Sequence, residues 1–396
     1  MLKEQKRRFS DSVELAAAMA DNIAPYAKEY DQENKFALKS IQILQRHGYA
    51  ALTVPKEYGG FGVGLYDFVR AQERLAMGDG PAALSIGMSL IKILRQANQP
   101  TWPRPIYDKV MRAVVERGAL VNSLGSEPRL GSPSRGGKPE TIAVPQEDGG
   151  WRITGHKTFA SLAPILDFII IVATIQDGTD TVGRFMLERG EGIRVKETWN
   201  SMSMRATGSH DMIFENAYAP RGSLIACIDH KKPVLNINKA RVRPQSPYFC
   251  LPVVSVYLGC AAQAQQEAVR YATKRVPLGL GRPLTTVESI RDKLADNERE
   301  LRAARMILHD TAQRVDACQG QIDDELMLDI YVAKHTVSNK AISVADRAMR
   351  IVGGAALASG SPLERAYRNV RAGLLHPPAD DVTSRVLAAW TIEENQ

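Results

Sequence analysis

The sequence predicts a multidomain α+β protein. It divides into an N-terminal all-helical domain (1–119), a small antiparallel β-barrel or sandwich (120–228), a basic linker (229–247) and a C-terminal helical bundle (248–396). Three observations carry this reading. Apolar residues recur at helical spacing in the first and last thirds of the chain. Between them lie short alternating or apolar runs punctuated by Gly, Asp and Asn, the texture of strands and turns. The 396 residues, 44% hydrophobic and 24% charged, suit a globular protein of two or three domains with a large core.

Residues 10–48 read as helical, with Val13, Leu15, Ala16, Met19, Ala20, Ile23, Leu38, Ile41 and Leu44 on one face and Gly48 as the stop. A glycine-dense connector, V-P-K-E-Y-G-G-F-G, leads to a second helical stretch over 65–95. After Pro100, Pro103 and Pro105, a further helix over Tyr107–Arg117 ends at Gly118. Trp151–Thr154, Phe168–Ala173, Gly183–Leu187 and Met212–Tyr218 read as strands. Residues 229–247 are basic, bounded by prolines and without period, so a connector is expected. Leu251–Lys274 is rich in small residues. Two stripes, Val287 to Val315 and Ile330 to Ile351, run near a heptad seam and predict an antiparallel bundle.

The net charge of +7 is spread out except around Lys231–Arg243. It suits an anionic ligand such as a nucleotide or coenzyme A thioester and is too diffuse to indicate nucleic acid. There is no run of eighteen apolar residues, so no membrane span is expected. The basic N-terminal residues are not followed by an apolar core, so no secretory signal is expected. Cys227, Cys250, Cys260 and Cys318 lack the spacing of a zinc site or disulfide framework, and a reducing cytoplasm is the expected location. The Pro/Gly/Ser-rich turn from Ser123, S-L-G-S-E-P-R-L-G-S-P, exposes backbone N–H groups and hydroxyls. It can hold a cofactor's polar atoms, and the same composition also makes ordinary surface turns.

Several motifs, in order along nearly the whole chain, resemble the acyl-CoA dehydrogenase superfamily. V-P-K-E-Y-G-G-F-G is similar to that family's first-domain signature. G-S-E-P-R-L-G-S resembles its T-E-P-x-x-G-S-D loop, and G-H-K-T-F-A-S resembles G-x-K-x-x-I-T/S. M-R-A-T-G-S-H-D-M-I-F-E-N-A-Y-A-P resembles the stretch that closes the β domain. Y-A-T-K-R resembles the helix leading into R-x-x-F-G. I-V-G-G, P-L-E-R and Y-R-N resemble G-G-x-G, P-x-E-R and Y-R-D.

The resemblance implies FAD between the β domain and the C-terminal helices, or FMN in an oxygen-using member, in a homotetramer or homodimer. It implies that Gly125 and Ser126 contact the ring edge, and that Gly131 and Ser132 reach toward the diphosphate or substrate. Phe159 takes the place of the tryptophan flanking the ring, and Ser161 that of the hydroxyl near N5; such donors tune reduced flavin. Arg275 would bind the diphosphate of a neighbouring subunit's cofactor, and Gly353 and Gly354 would admit its adenine end.

Departures from the family pattern concern the chemistry. Pro133 ends the loop where the family has Asp, and R-x-x-F-G reads Arg275-Val-Pro-Leu-Gly279. The family's catalytic glutamate, which takes the proton α to the thioester carbonyl, aligns with Pro377. Its alternative position early in the last-domain helix offers Phe249 and Cys250. Three expectations follow. The first and favoured one is an acyl-CoA dehydrogenase with a displaced carboxylate base, Asp380 or Asp381, passing electrons to an electron-transfer flavoprotein. The second is a monooxygenase of the same superfamily, using reduced flavin and O2, with His376 at the reaction centre. The third is a flavin or coenzyme A binder without turnover. Read from the residues alone, His376-Pro-Pro is a rigid helix–helix turn and Asp380-Asp381 cap the next helix.

Overall fold

The computed structural model describes residues 11–130, 137–179, 181–229, 242 and 245–395. The first helical stretch is three helices: α1 (Ser12–Ile23), α2 (Ala27–Glu33) and α3 (Leu38–Arg46). The Asp11 carboxylate caps α1 by accepting the Val13 and Glu14 N–H groups at 2.7 and 2.8 Å. The left-handed Asn34, φ 51°, ends α2. The second stretch is α4 (Leu65–Ala76) and α5 (Gly80–Asn98). They break at Gly78 because a Cβ there would overlap the Ala20 carbonyl of α1, and Asp79 then caps α5. Helix α6 (Arg104–Arg117) ends at Gly118, φ 69°, as the sequence predicts.

Among the described residues the β region has eight strands: β1 (Val121–Leu124), β2 (Ile142–Pro145), β3 (Trp151–Ala160), β4 (Phe168–Ile175), β5 (Thr181–Glu188), β6 (Ile193–Lys196), β7 (His210–Ala219) and β8 (Leu224–Asp229). The sheet order is β6-β7-β3-β2-β4-β5-β8, with β1 also on β4. The sheet is mixed. Against the antiparallel expectation, β1 and β2 both run parallel to β4. Val121–Leu124 faces Phe168–Ile171, and Ile142-Ala143 faces Thr174-Ile175. The two short strands therefore lie along one strand line, and the Gly-Ser-Glu-Pro loop is an excursion from it.

The C-terminal part is α7 (Pro247–Lys274), α8 (Glu288–Ala317), α9 (Asp324–Val352), α10 (Pro362–Asn369) and α11 (Asp380–Glu394). Arg347 of α9 reaches Asn297 of α8 at 2.7 Å while Arg314 reaches Asp329 at 2.6 Å, so the two helices are antiparallel, as expected. α7 is long and apolar enough to cross a membrane, but 89% of its apolar window is buried within the protein. Its small residues make this possible: a Cβ at Gly259 would overlap the Glu73 carbonyl of α4. Asp316 of α8 accepts the Leu65 and Tyr66 N–H groups at 2.9 and 2.8 Å, so α8 caps α4 and joins the two helical parts.

One buried ion pair fixes the excursion loop. Lys157 of β3 and Glu127 are 0% and 1% exposed at their side chains and bonded to each other. The Glu127 carboxylate also accepts the Glu140 and Thr141 N–H groups and the Thr141 hydroxyl. Lys157 donates a second bond to the Val172 carbonyl at 2.7 Å. A Cβ at Gly155 would overlap Thr141, so the G-x-K spacing admits this network. Burial drives the Glu127 pKa up, but Lys157, Thr141 and the Glu140 amide outweigh it and hold the carboxyl below its ordinary value. Lys157→Met should cost about 3–5 kcal/mol, because it strands a buried charge. The stability that Glu127 gives is full above the unfolded carboxylate pKa and is lost as pH falls through the depressed folded value. In Lys157→Met that acid-side slope should flatten. Denaturant unfolding at several pH values measures both, and an unchanged midpoint would contradict the assignment.

Candidate active site

The end of β3 and the excursion loop bring together the residues singled out on the β side. The Ser126 carbonyl accepts the Thr158 N–H at 2.9 Å, fixing Gly125-Ser126 beside β3. Phe159 has φ 56°, a left-handed conformation rare for an aromatic residue, and is 65% exposed. It meets Trp199 edge to face at 6.0 Å. The left-handed backbone turns the Phe159 ring outward, where most of it is exposed. The Ser161 hydroxyl lies 2.9 Å from that of Ser209, which lies 2.7 Å from the Thr207 hydroxyl. Gly131 and Ser132 lie outside the described residues, as does most of the basic linker (230–241, 243 and 244).

On the helical side Asn369 joins the two parts. Its side chain accepts the Met204 N–H at 2.8 Å and its carbonyl accepts the Ser203 hydroxyl at 3.1 Å. The chain then runs along α7 to His376. The two positions at which the family resemblance puts a base meet here: Phe249 lies 6.3 Å from His376 between ring centroids, and the Cys250 thiol reaches the Pro377 carbonyl at 3.7 Å. Burial pushes the Cys250 thiol up to about 12. His376 Nδ1 lies 2.9 Å from the Tyr257 hydroxyl and 3.1 Å from the Ala372 carbonyl. That carbonyl already accepts the Leu375 N–H, whereas the buried phenol has only His376 among the described residues. We assign Tyr257 as the donor to a bare Nδ1, which places the ring proton on Nε2; the other tautomer would donate Nδ1–H to the Ala372 carbonyl. Burial, opposed by the Ala372 carbonyl and reinforced by Lys334, pushes His376 down to about 4. The ring is neutral.

Both carboxylates lie in the first turn of α11, where the N-cap is Ala379 and not an aspartate. Asp380 lies in the same cluster as His376 but is engaged. Its Oδ1 is 3.5 Å from the fully buried Lys334 ammonium, and its Oδ2 accepts from Asn339 at 2.9 Å. Burial lowers the Lys334 pKa, and Asp380 opposes that shift. Asp381 is exposed and paired with Arg385 at 2.8 Å. Tyr257, Lys334 and Asn339 are the members of the cluster that sequence reasoning missed. Lys334 interrupts the apolar stripe of α9, and that interruption was the available signal.

Arg275 is exposed at the end of α7 and makes no ion pair among the described residues. Gly353, φ 72° and ψ −149°, and Gly354 have open space where a Cβ would lie. An unpaired guanidinium and two accessible backbone positions are free to receive a polar ligand.

The helical–sheet–helical order along the chain defines the fold class, a three-part arrangement in which the sheet separates two helical parts. Three family models match in series: the N-terminal, middle and C-terminal domains of acyl-CoA dehydrogenase, over residues 3–99, 123–217 and 251–380. The chain is 36% identical to the putative acyl-CoA dehydrogenase YdbM of Bacillus subtilis, over 98% of each chain. It is 27% identical to the L-evernosamine nitrososynthase of a Micromonospora species, over 91% of this chain and 85% of that one. The solved structure of KijD3 with FMN and a dTDP-linked 3-amino-4-keto sugar superposes with a TM-score of 0.83 at 26% identity, covering 96% of this chain and 93% of that one. The chain belongs to the acyl-CoA dehydrogenase family.

The His376 assignment has a direct check. Nitrogen NMR should find one neutral tautomer, protonated at Nε2, from about pH 5.5 to about pH 8. Tyr257→Phe should release the ring to populate both tautomers. A ring that titrates near its ordinary value would contradict the assignment.

Proposed function

We propose that this chain binds a flavin and acts as an oxygen-using member of its family, with His376 as a neutral hydrogen-bond donor in the reaction cleft. The observation that supports this most is what stands at the two positions for a carbon-acid base. They are filled by Phe249, a Cys250 thiol pushed up to about 12, and Pro377 beside a neutral His376. The nearest carboxylates serve Lys334, Asn339 and Arg385. Dehydrogenation of an acyl thioester needs a free base at the α carbon.

The residues present fit a flavin. Phe159 offers an exposed ring face, Gly125, Ser126 and Ser161 offer polar contacts, and Arg275 with Gly353 and Gly354 suits a diphosphate and its far end. FAD satisfies all of these, and FMN, as in KijD3, the ring-side set alone. When bound, the flavin supplies the two-electron chemistry. The chain's own part would be to hold the ring with Phe159, Gly125, Ser126 and Ser161 and to offer it the Nε2–H of His376. Tyr257 keeps that proton on Nε2 at every working pH.

The electron acceptor in this reading is O2, with reduced flavin supplied by a separate reductase, in place of an electron-transfer flavoprotein. Leu278 and Leu357, 103% and 77% exposed, lie in sequence beside Arg275 and Gly353 and suit burial against a second copy in a homodimer or homotetramer. Four free cysteines suit a reducing cytoplasm.

The dehydrogenase reading keeps one observation in its favour. Asp380 Oδ1 is buried without a hydrogen bond among the described residues, beside a relative at 36% identity named for that activity. One experiment separates the two. Protein loaded with chemically reduced flavin and given O2 should turn over. His376→Ala should lower coupled product at least about tenfold and release peroxide instead, while Asp380→Asn keeps most of the activity. Anaerobic bleaching of oxidised flavin by acyl-CoA, lost in Asp380→Asn, would establish the dehydrogenase.

A further inference from the structure

Asp79 stands between α4 and α5 with one carboxylate oxygen used and the other not. Its Oδ1 caps α5 at the Ala82 N–H, 3.4 Å away, and its Oδ2 is buried with no hydrogen-bond donor among the described residues. The residue is 4% exposed. A buried carboxylate oxygen left bare is costly, so it calls for a partner. Asp79 lines a cavity of about 10 Å³ together with Asp31 of α2, Gln263 of α7, and Arg365 and Asn369 of α10. That is the space of a single water molecule, and the polar lining can supply the roughly two to four partners a buried water requires. Asp31 is already held by Arg368 at 2.5 Å, and Arg365 donates to the Gly360 carbonyl at 3.0 Å.

Asn369 offers the group that complements Asp79. Its Oδ1 accepts the Met204 N–H at 2.8 Å, so its amide NH2 is the end turned away from Met204. That Nδ2 lies 3.8 Å from where a Cβ on Gly80 would stand, on the cavity side. A water that accepts from Asn369 Nδ2 and donates to Asp79 Oδ2 satisfies both, and it fixes which end of the carboxamide meets Met204. Met204 has a left-handed backbone, φ 54°. Its carbonyl accepts the Trp199 indole N–H at 3.1 Å and the Thr207 hydroxyl at 3.0 Å. Trp199 meets Phe159, and Thr207 continues through Ser209 to Ser161. One residue thus ties the cavity to the exposed aromatic ring and to the hydroxyl chain.

We infer that the cavity holds one internal water shared by Asp79 and Asn369, and that through it Asp79 is a positioning residue for Trp199 and Ser161. This deepens the functional reading above, and rests on it only for the role of those two groups in holding a flavin. Burial pushes the Asp79 carboxyl up to about 6, opposed by the Ala82 N–H and Arg365 and reinforced by Asp31. The remaining titratable group facing it is the Cys260 thiol of α7, pushed up to about 12 by burial and therefore neutral. Above that carboxyl value the ionised Asp79 accepts from the water, and below it the protonated group accepts more weakly.

A crystal structure at about pH 7.5 should show one water within hydrogen-bond distance of Asp79 Oδ2 and Asn369 Nδ2. Trp199 reports on the relay without any cofactor. Its indole N–H can be followed by nitrogen-15 NMR, with Trp199→Phe identifying it among the four tryptophans. Asp79→Asn keeps a residue that caps α5, so it should shift the Trp199 signal without lowering the melting temperature. It should also weaken FAD binding about fivefold, the effect of one hydrogen bond. Wild type should approach the Asp79→Asn signal as pH falls through about 6. Asn369→Leu should shift Trp199 further, and adding Asp79→Asn to it should change nothing more, because one relay serves both. A cavity without water, a Trp199 signal indifferent to Asp79→Asn, or effects of the two substitutions that simply add would overturn the proposal. So would a melting temperature that falls in Asp79→Asn, or FAD affinity that is measurable in wild type and unchanged in that variant. If wild type binds no FAD, the flavin reading fails, and the water and the Trp199 signal still decide whether the relay exists.

Discussion

The buried Glu127–Lys157 pair is the constraint on which the β side of the site depends. Two charges withdrawn from water are tolerable only when every lone pair and proton is used. Here Glu127 takes the Glu140 and Thr141 amides and the Thr141 hydroxyl, and Lys157 takes the Val172 carbonyl. The result is positional. The pair closes a loop of more than a dozen residues onto the strand line that β1 and β2 share. It thereby sets Gly125 and Ser126 beside the last residues of β3, where Phe159 and Ser161 stand.

The helical side is organised by α7, whose first part, residues 247–262, is enclosed and accepts its neighbours through small residues. Because that part is enclosed, polar groups along it must find partners within the protein. Tyr257 finds His376, and that bond decides the histidine's tautomer as well as its place. Lys334 and Asp380 find each other from α9 and α11. These pairings leave His376 bonded to Tyr257 and the carboxylate of Asp380 beside Lys334 and Asn339.

The sequence made the order of helical, sheet and helical parts legible, because periods of 3.6 and 2 differ over long stretches such as Val287–Val315 and Phe168–Ala173. It did not expose β1, β2, β6 or β8. β1, β2 and β6 have four residues each, and β1 and β2 pair in parallel with β4, which is distant in the chain, so those pairings were missed as well. Gly78 and Asn34 broke helices that apolar spacing alone had run together. Phe159, Ser161 and His376 were nominated by resemblance, and the structure adds their surroundings: the left-handed backbone at Phe159, the Ser161–Ser209 bond and the Tyr257 partner of His376. Asp380 could be nominated from its place in the chain. That Lys334 occupies it could not be read, since the two residues lie on different helices.

In the oxygen-using reading proposed above, no described residue at this junction withdraws a proton from carbon. Incubating the flavin-loaded protein in heavy water with acyl-CoA thioesters, and following the α-carbon protons by NMR, measures that step without requiring net turnover. The account predicts no exchange above the rate in buffer alone, for wild type and Asp380→Asn alike. Enzyme-catalysed exchange that Asp380→Asn abolishes would contradict it and restore a carbon-acid base to the site.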